Sequence, residues 1–232
     1  ASLVFSENDT RYTLIIILIG GAALALVGFL DDRGLLHHQV KLMLAMPLAA
    51  LWLIINGVHI TFFNDGLLPF GGIWLDYLIS FFWIVGITAA FSILDHLDGL
   101  CSGVAAVASA AFILIASLNA QPLVAILAAA LCGGTLGFLR WNFKPAKIFM
   151  GDGGAMFLGF MCASLGLALK LPAVSLSTRW LIPILILAVP IFDTTLITIS
   201  RSRRGLIPFT SPGKDHTAHR LSNLNLSQRG AV

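Results

Sequence analysis

Asp31-Asp32, the pair Asp95 and Asp98, Asp152, and the segment Asp215-His216-Thr-Ala-His219-Arg220 could do chemistry in this chain of 232 residues. Asp95 and Asp98 stand three apart, which puts both carboxylates on one helical face, and Gly99 lets the chain turn straight after them. A polar turn between two helices needs only one such acid. Asp152 lies in Phe149-Met-Gly151-Asp152-Gly153-Gly154, just after Arg140, Asn142, Lys144 and Lys147. An acid among glycines reads as the N-cap of the next helix, as a cation ligand, or as both. A helix N-terminus with bare glycine amides also favours phosphate. Mg²⁺ takes one or two carboxylates and completes its shell with substrate phosphates, so Asp152 with a pyrophosphate suits it, and Mn²⁺ is an alternative. Phe149 either stacks on a base or packs against lipid or a neighbouring helix. Asp31-Asp32 is half of a site or a solvated helix end. The spacing of His216 and His219 fits half a zinc site, but no Cys or second His pair accompanies them. Histidine with Arg220, facing an acid-bound metal, suits a dianionic phosphate better.

These residues need elements to carry them, and the composition says what kind. The chain is 58% hydrophobic and 11% charged, against about 25% charged in soluble domains. Its solvent is lipid, and its backbone must satisfy its own hydrogen bonds as helices. Seven apolar runs stand out, at residues 13–30, 42–57, 74–94, 100–118, 122–139, 153–171 and 180–200. About 20 apolar residues cross a bilayer, and shorter runs cross with flanking help. The expected fold is an all-α polytopic membrane protein of about seven transmembrane helices, forming one domain over 1–232 with a basic, histidine-bearing loop at 201–232.

If each run crosses once, the gaps at 31–41, 95–99, 140–152 and 201–232 share a face, and every acid named above lies in them. Of the basic residues, Arg33, Lys41, Arg140, Lys144, Lys147, Arg201, Arg203, Arg204, Lys214, Arg220 and Arg229 lie on that face, while Arg11, Lys170 and Arg179 lie on the other. That excess makes the acid-bearing face cytoplasmic. The formal net charge of +3 then expresses membrane topology and no affinity for nucleic acid. Cys101, Cys132 and Cys162 are odd in number, lie in or beside apolar runs, and read as small packing residues. On the opposite face, Val58–Phe63 is β-prone and precedes Asn64-Asp65-Gly66, which suggests a short hairpin near 58–72. Asp193, about two turns inside the last run, reads as a structural acid bonded to a neighbouring helix. A transporter would place its acids near mid-membrane on broken helices, whereas these cluster at helix ends. Acids for a cation, a basic rim for phosphates and membrane walls for a lipid are what phosphoryl transfer between a soluble nucleotide and a lipid phosphate requires.

Four segments occur in a familiar order: Gly28-Phe-Leu-Asp31-Asp32, Leu94-Asp95-His-Leu-Asp98-Gly99-Leu, Asn142-Phe-Lys-Pro145-Ala146-Lys-Ile-Phe149-Met-Gly151-Asp152-Gly153-Gly154, and Asp215-His216-Thr-Ala-His219-Arg220. Together they resemble the polyprenyl-phosphate N-acetylhexosamine-1-phosphate transferases of glycosyltransferase family 4. That family includes the bacterial enzymes that begin teichoic acid and O-antigen synthesis and the phospho-MurNAc-pentapeptide translocase. The resemblance implies a ten- to eleven-helix fold of which this chain is a fragment, in a bacterial plasma membrane with a cytoplasmic site. It implies transfer of a sugar 1-phosphate from a UDP-sugar to undecaprenyl phosphate, releasing UMP, with Mg²⁺. By position, Asp152 resembles the metal ligand, and Asp31 and Asp32 the pair beside the reacting phosphates, acting as base or as covalent nucleophile. Asp95 and Asp98 resemble the wall of the nucleotide-sugar site, Asn142 and Phe149 the uracil contacts, and Lys41 a basic position before the next span. His216, His219 and Arg220 resemble the family's histidine loop. The expected partners are a UDP-sugar, a polyprenyl phosphate and the membrane, with a homodimer as an open alternative. The chain departs from the family at Ala89 and Ser92, where Asn is usual, at Ala45, where Gln is frequent, and at Ala218, which interrupts a His-x-His spacing. A catalytically weakened paralogue that binds lipid or nucleotide is therefore a competing expectation.

Overall fold

The computed structural model describes residues 7–36, 38–63, 72–171, 174–205 and 217. Among them the regular structure is helical, with no strand. The elements are α1 (Glu7–Asp32), α2 (His38–Val40), a π-turn (Lys41–Ala45), α3 (Met46–Ile55), α4 (Gly72–Leu94), α5 (Leu100–Leu118), α6 (Pro122–Asn142), α7 (Gly151–Ala168), α8 (Leu176–Arg179), α9 (Leu181–Ile186) and α10 (Ala188–Ser202).

Among the described residues, five helices are long and apolar enough to cross a membrane: Arg11–Asp32 within α1, then α4, α5, α6 and α7. The other two of the seven expected runs differ. The second is a shorter apolar stretch, Lys41–Ile55, opening in the π-turn. It still runs the length of α1. Lys41 pairs with Asp31 at one end, and at the other Asn56 accepts a hydrogen bond from Tyr12 Oη at 2.8 Å. The seventh run is interrupted at Leu187, which ends α9 and precedes α10. Pro183 and Pro190 flank that break, and proline removes a helical N–H and clashes with the preceding turn.

The helix at the centre is α7, packed against α1 on one side and α4 on another, while α5 and α6 form a neighbouring pair. Small residues set these crossings. A Cβ on Gly28 would lie 2.5 Å from the Gly153 nitrogen, and one on Gly159 would lie 2.8 Å from Thr88 Cα. In lipid, where apolar burial gives helices little reason to associate, such close backbone contact is the main source of packing energy. Hydroxyls inside the bundle return to their own helices, as Thr88 does to the Ile84 carbonyl and Ser164 to that of Phe160, both at 2.7 Å.

The expected hairpin near 58–72 does not form in its described part. Phe62 and Phe63 donate their N–H groups to Asp76 Oδ1 at 3.1 and 2.9 Å, and Ile60 donates to Ser80 Oγ at 2.9 Å. The segment is held against the first turns of α4 in place of pairing with a strand. Residues 64–71 lie outside the described residues.

Candidate active site

The site forms where the C-terminal ends of α1, α4 and α6 meet the N-terminus of α7 and the start of the π-turn. Lys41 joins its halves. Its Nζ lies 2.8 Å from Asp31 Oδ2 and also pairs with Asp152 Oδ2. The other oxygen of Asp152 accepts a hydrogen bond from Ser92 Oγ at 2.5 Å. Asp32 turns to the helix terminus: Oδ1 accepts from the Asp152 N–H at 3.0 Å and Oδ2 from the Gly153 N–H at 3.2 Å. The first-turn amides of α7 are thus satisfied from α1, and the negative charge sits where the helix dipole favours it.

Two expectations are corrected here. Asp152 is not the N-cap, because α7 begins at Gly151 and its N-cap residue, Met150, makes no side-chain cap bond. Nor is the start of α7 bare for phosphate: Asp32 occupies the amides of Asp152 and Gly153, and Asp95 that of Gly151. The glycines serve a different need. Gly151 has φ +67°, and a Cβ there would meet Asp32 Oδ2 at 2.5 Å, while Gly153 faces Ala25 and Phe29 of α1 at 3.1 Å.

Asp95 lies in the turn after α4 and accepts a backbone hydrogen bond from Gly151. Burial pushes its carboxyl up, with added repulsion from Asp152 and Asp32, to about 6. Asp98 accepts from the Ala146 N–H at 3.2 Å and so fixes the 143–150 segment. Asn142, only 4% exposed, accepts from Gly99 N–H and Ser102 Oγ at 3.0 Å and donates to the Ile148 carbonyl at 3.0 Å. It ties the α4–α5 turn to the end of α6. Phe149, 78% exposed, is open to a ligand. His216, His219 and Arg220 lie outside the described residues.

The structure therefore brings together Asp31, Asp32, Lys41, Asp95 and Asp152, with Asp98 and Asn142 bracing the walls. Ser92, noted in the sequence only as a departure from Asn, proves to be a direct partner of Asp152. The available signal was its position three residues before Asp95, on the same helical face.

A divalent cation fits this donor set. Among the described residues no three His, Cys, Asp or Glu side chains form a metal centre; Mg²⁺ would take one or two carboxylates and leave the rest of its shell to water and phosphate. Asp152 and Asp95 are the carboxylates that would hold it. Burial, and after it repulsion from Asp152 and Asp32, raises Asp95, and a cation beside these acids would relieve the repulsion.

The family model described as glycosyl transferase family 4 matches residues 14–170. This chain belongs to that family. It is 37% identical, over its whole length, to a probable undecaprenyl-phosphate N-acetylglucosaminyl 1-phosphate transferase of Bacillus subtilis (strain 168), covering 63% of that protein. It is 33% identical to the phospho-N-acetylmuramoyl-pentapeptide-transferase of Enterococcus hirae over 71% of this chain and 54% of that one. The same-named protein of Limosilactobacillus fermentum is 36% identical over 70% of this chain and 52% of its own. The chain thus spans between about half and two thirds of the length of these relatives. The family match extends from α1 to just past α7, the elements that build the site.

Proposed function

We propose that this chain carries the catalytic core of a membrane phosphoglycosyl transferase. In this reading it transfers a sugar 1-phosphate, GlcNAc-1-phosphate first, from a UDP-sugar to undecaprenyl phosphate at the cytoplasmic face. A phosphate oxygen of the lipid attacks the β-phosphorus of the UDP-sugar. The pyrophosphate P–O bond breaks, UMP leaves, and a lipid-linked sugar pyrophosphate forms, the first step of a cell-wall or surface glycan.

The observation that carries the reading is the Lys41 bridge between Asp31 and Asp152, set at a helix end with lipid-facing walls. A phosphate monoester has its second pKa near 6, so at neutral pH the lipid nucleophile is largely ionised and needs little help from a base. What it needs is neutralised charge and alignment with a second, equally anionic substrate. Lys41 supplies one cation, and Mg²⁺, proposed as the cofactor at Asp152 and Asp95, supplies the rest when bound. Asp32, with both oxygens engaged on α7, is better suited to orient that helix than to form a covalent intermediate.

The full topology belongs to the same proposal: seven crossings, with Lys41–Ile55 and the α9–α10 pair as the two irregular ones, in a bacterial plasma membrane. Two alternatives are disfavoured. Ser92 restores a donor to Asp152 where a weakened paralogue would have lost one, and the acids gather at helix ends and not at mid-membrane as in transporters.

The test is UMP release from UDP-GlcNAc by the protein in vesicles containing undecaprenyl phosphate. Asp152→Ala should abolish it. Normal turnover by that variant would remove the assignment, and uptake of substrate without a lipid product would favour transport.

A further inference from the structure

One buried acid is not used by this site. Asp193 lies within α10 and is only 3% exposed. Its Oδ1 accepts a hydrogen bond at 2.7 Å from the backbone N–H of Thr217, 24 residues further along. At 1.5 Å per residue, the nine positions from Asp193 to Ser202 place this contact about 13 Å back from the helix end. The hydroxyl of Thr217 is buried and has no hydrogen-bond partner among the described residues, so the tie runs through the main chain. The peptide whose N–H is held is the one joining His216 to Thr217.

The level of that tie in the bundle matters. Thr194, next to Asp193, lines a cavity of about 310 Å³ between α4 and α9–α10, and Ala90 of α4 lines the same cavity. Ala90 is two residues from Ser92, whose hydroxyl holds Asp152. That cavity runs along α4 from Phe82 to Ala90, and the helix that carries Asp193 forms its other wall. A carboxylate inside an apolar helix is expensive unless it is hydrogen-bonded, and the Thr217 N–H is one of the donors that Asp193 engages.

We propose that Asp193 is a positioning residue: it clamps the His216–Thr217 peptide to α10 and so fixes the point from which the histidine segment is held. The proposal deepens the transferase reading and rests on it for what the segment acts upon. The clamp itself does not depend on that reading.

Amide hydrogen exchange of the protein in lipid nanodiscs, followed in peptides covering 210–222, decides it. Asp193→Ala should speed the slowest amide there roughly tenfold or more, the scale of a lost hydrogen bond to a charged group. Asp193→Asn, which keeps an oxygen in place, should fall between, and Thr217→Ala, which keeps the N–H, should stay protected. Unchanged exchange in Asp193→Ala overturns the clamp. Thr217→Pro removes the donor while leaving Asp193 intact. It and Asp193→Ala should each lower kcat for UMP release about tenfold at a temperature where both variants remain folded, and the double variant should be no worse than either. Additive losses, or an unaltered kcat in Thr217→Pro, overturn the positioning role. If the wild-type protein releases no UMP, the transferase reading falls, and the exchange result still decides the clamp.

Discussion

Asp32 caps a helix that begins about 120 residues later. Its two carboxylate oxygens accept the N–H groups of Asp152 and Gly153 at 3.0 and 3.2 Å. The acid therefore holds the metal-ligand candidate by its backbone, while Lys41 and Ser92 hold it by its side chain.

That arrangement separates two roles for Asp32. As a cap, Asp32→Ala leaves two orphan donors at the start of α7, at a cost of about 0.5–2 kcal/mol. The melting temperature in detergent should fall, and Asp32→Asn, which retains one acceptor, should recover part of the loss. If Asp32 served only as a base or nucleophile, both variants would melt like the wild type while losing activity alike.

The crossing of α1 and α7 allows a sharper test. Glycine to alanine inside a helix ordinarily stabilises by up to about 1 kcal/mol. At Gly28 the new methyl would lie 2.5 Å from the Gly153 nitrogen and 2.6 Å from the Asp152 carbonyl, so Gly28→Ala should instead destabilise by about 1–3 kcal/mol and displace Asp152. A methyl added at Gly103 in α5 would meet nothing within 4 Å, and Gly103→Ala should be neutral or stabilising. Thermal denaturation of the two variants side by side decides the matter, and equal shifts would show that α1 and α7 do not cross this closely.

Asp95 gives the protein a pH dependence. Its carboxyl is raised from an ordinary 3.8 to about 6 by burial and by Asp152 and Asp32. The folded protein thus binds this proton more tightly than the unfolded chain. The stability involved is fully present below about pH 4 and is lost as pH rises through about 6. Asp95→Asn should be more stable than wild type above about pH 6, with the gap closing towards about pH 4. A cation at the cluster should displace the proton, so Mg²⁺ binding at about pH 6 should release protons. Calorimetry in two buffers of different ionisation enthalpy reads that release, and heats independent of buffer would argue against a site at Asp95.

Much of the helical layout is legible in the sequence because lipid leaves an apolar backbone no alternative to helix. That is why α1, α4, α5, α6 and α7 fall close to the apolar runs. The alternation of crossings likewise anticipates that Asp32 and Asp152 share a face. What it does not reveal is who bonds to whom. Nothing local in Gly151-Asp152-Gly153 shows that the amides are already taken by an acid from α1, so the motif reads as an open phosphate cradle. The bracing role of Asn142 is hidden for the same reason, since its partners Gly99 and Ser102 lie far back along the chain. The break at Leu187 falls between Pro183 and Pro190, which the sequence does show, whereas the π-turn at Lys41 leaves no mark in the periodicity.

Ser92 carries the last prediction, because it decides whether the departure from Asn matters. Its hydroxyl donates to Asp152 Oδ1 at 2.5 Å, and a hydrogen bond to a charged group is worth about 1.5–3 kcal/mol. Ser92→Ala should lower kcat/KM for the UDP-sugar by roughly ten- to a hundredfold, by the same scale, with little change in folding. Ser92→Asn offers an amide donor of longer reach at the same place, so activity should stay within a few-fold of wild type if a donor to Asp152 is all the position must supply. A variant that gains activity only with Asn at both 89 and 92 would instead mark this chain as the weakened member of its family, because Ala89 offers Asp152 no donor of its own.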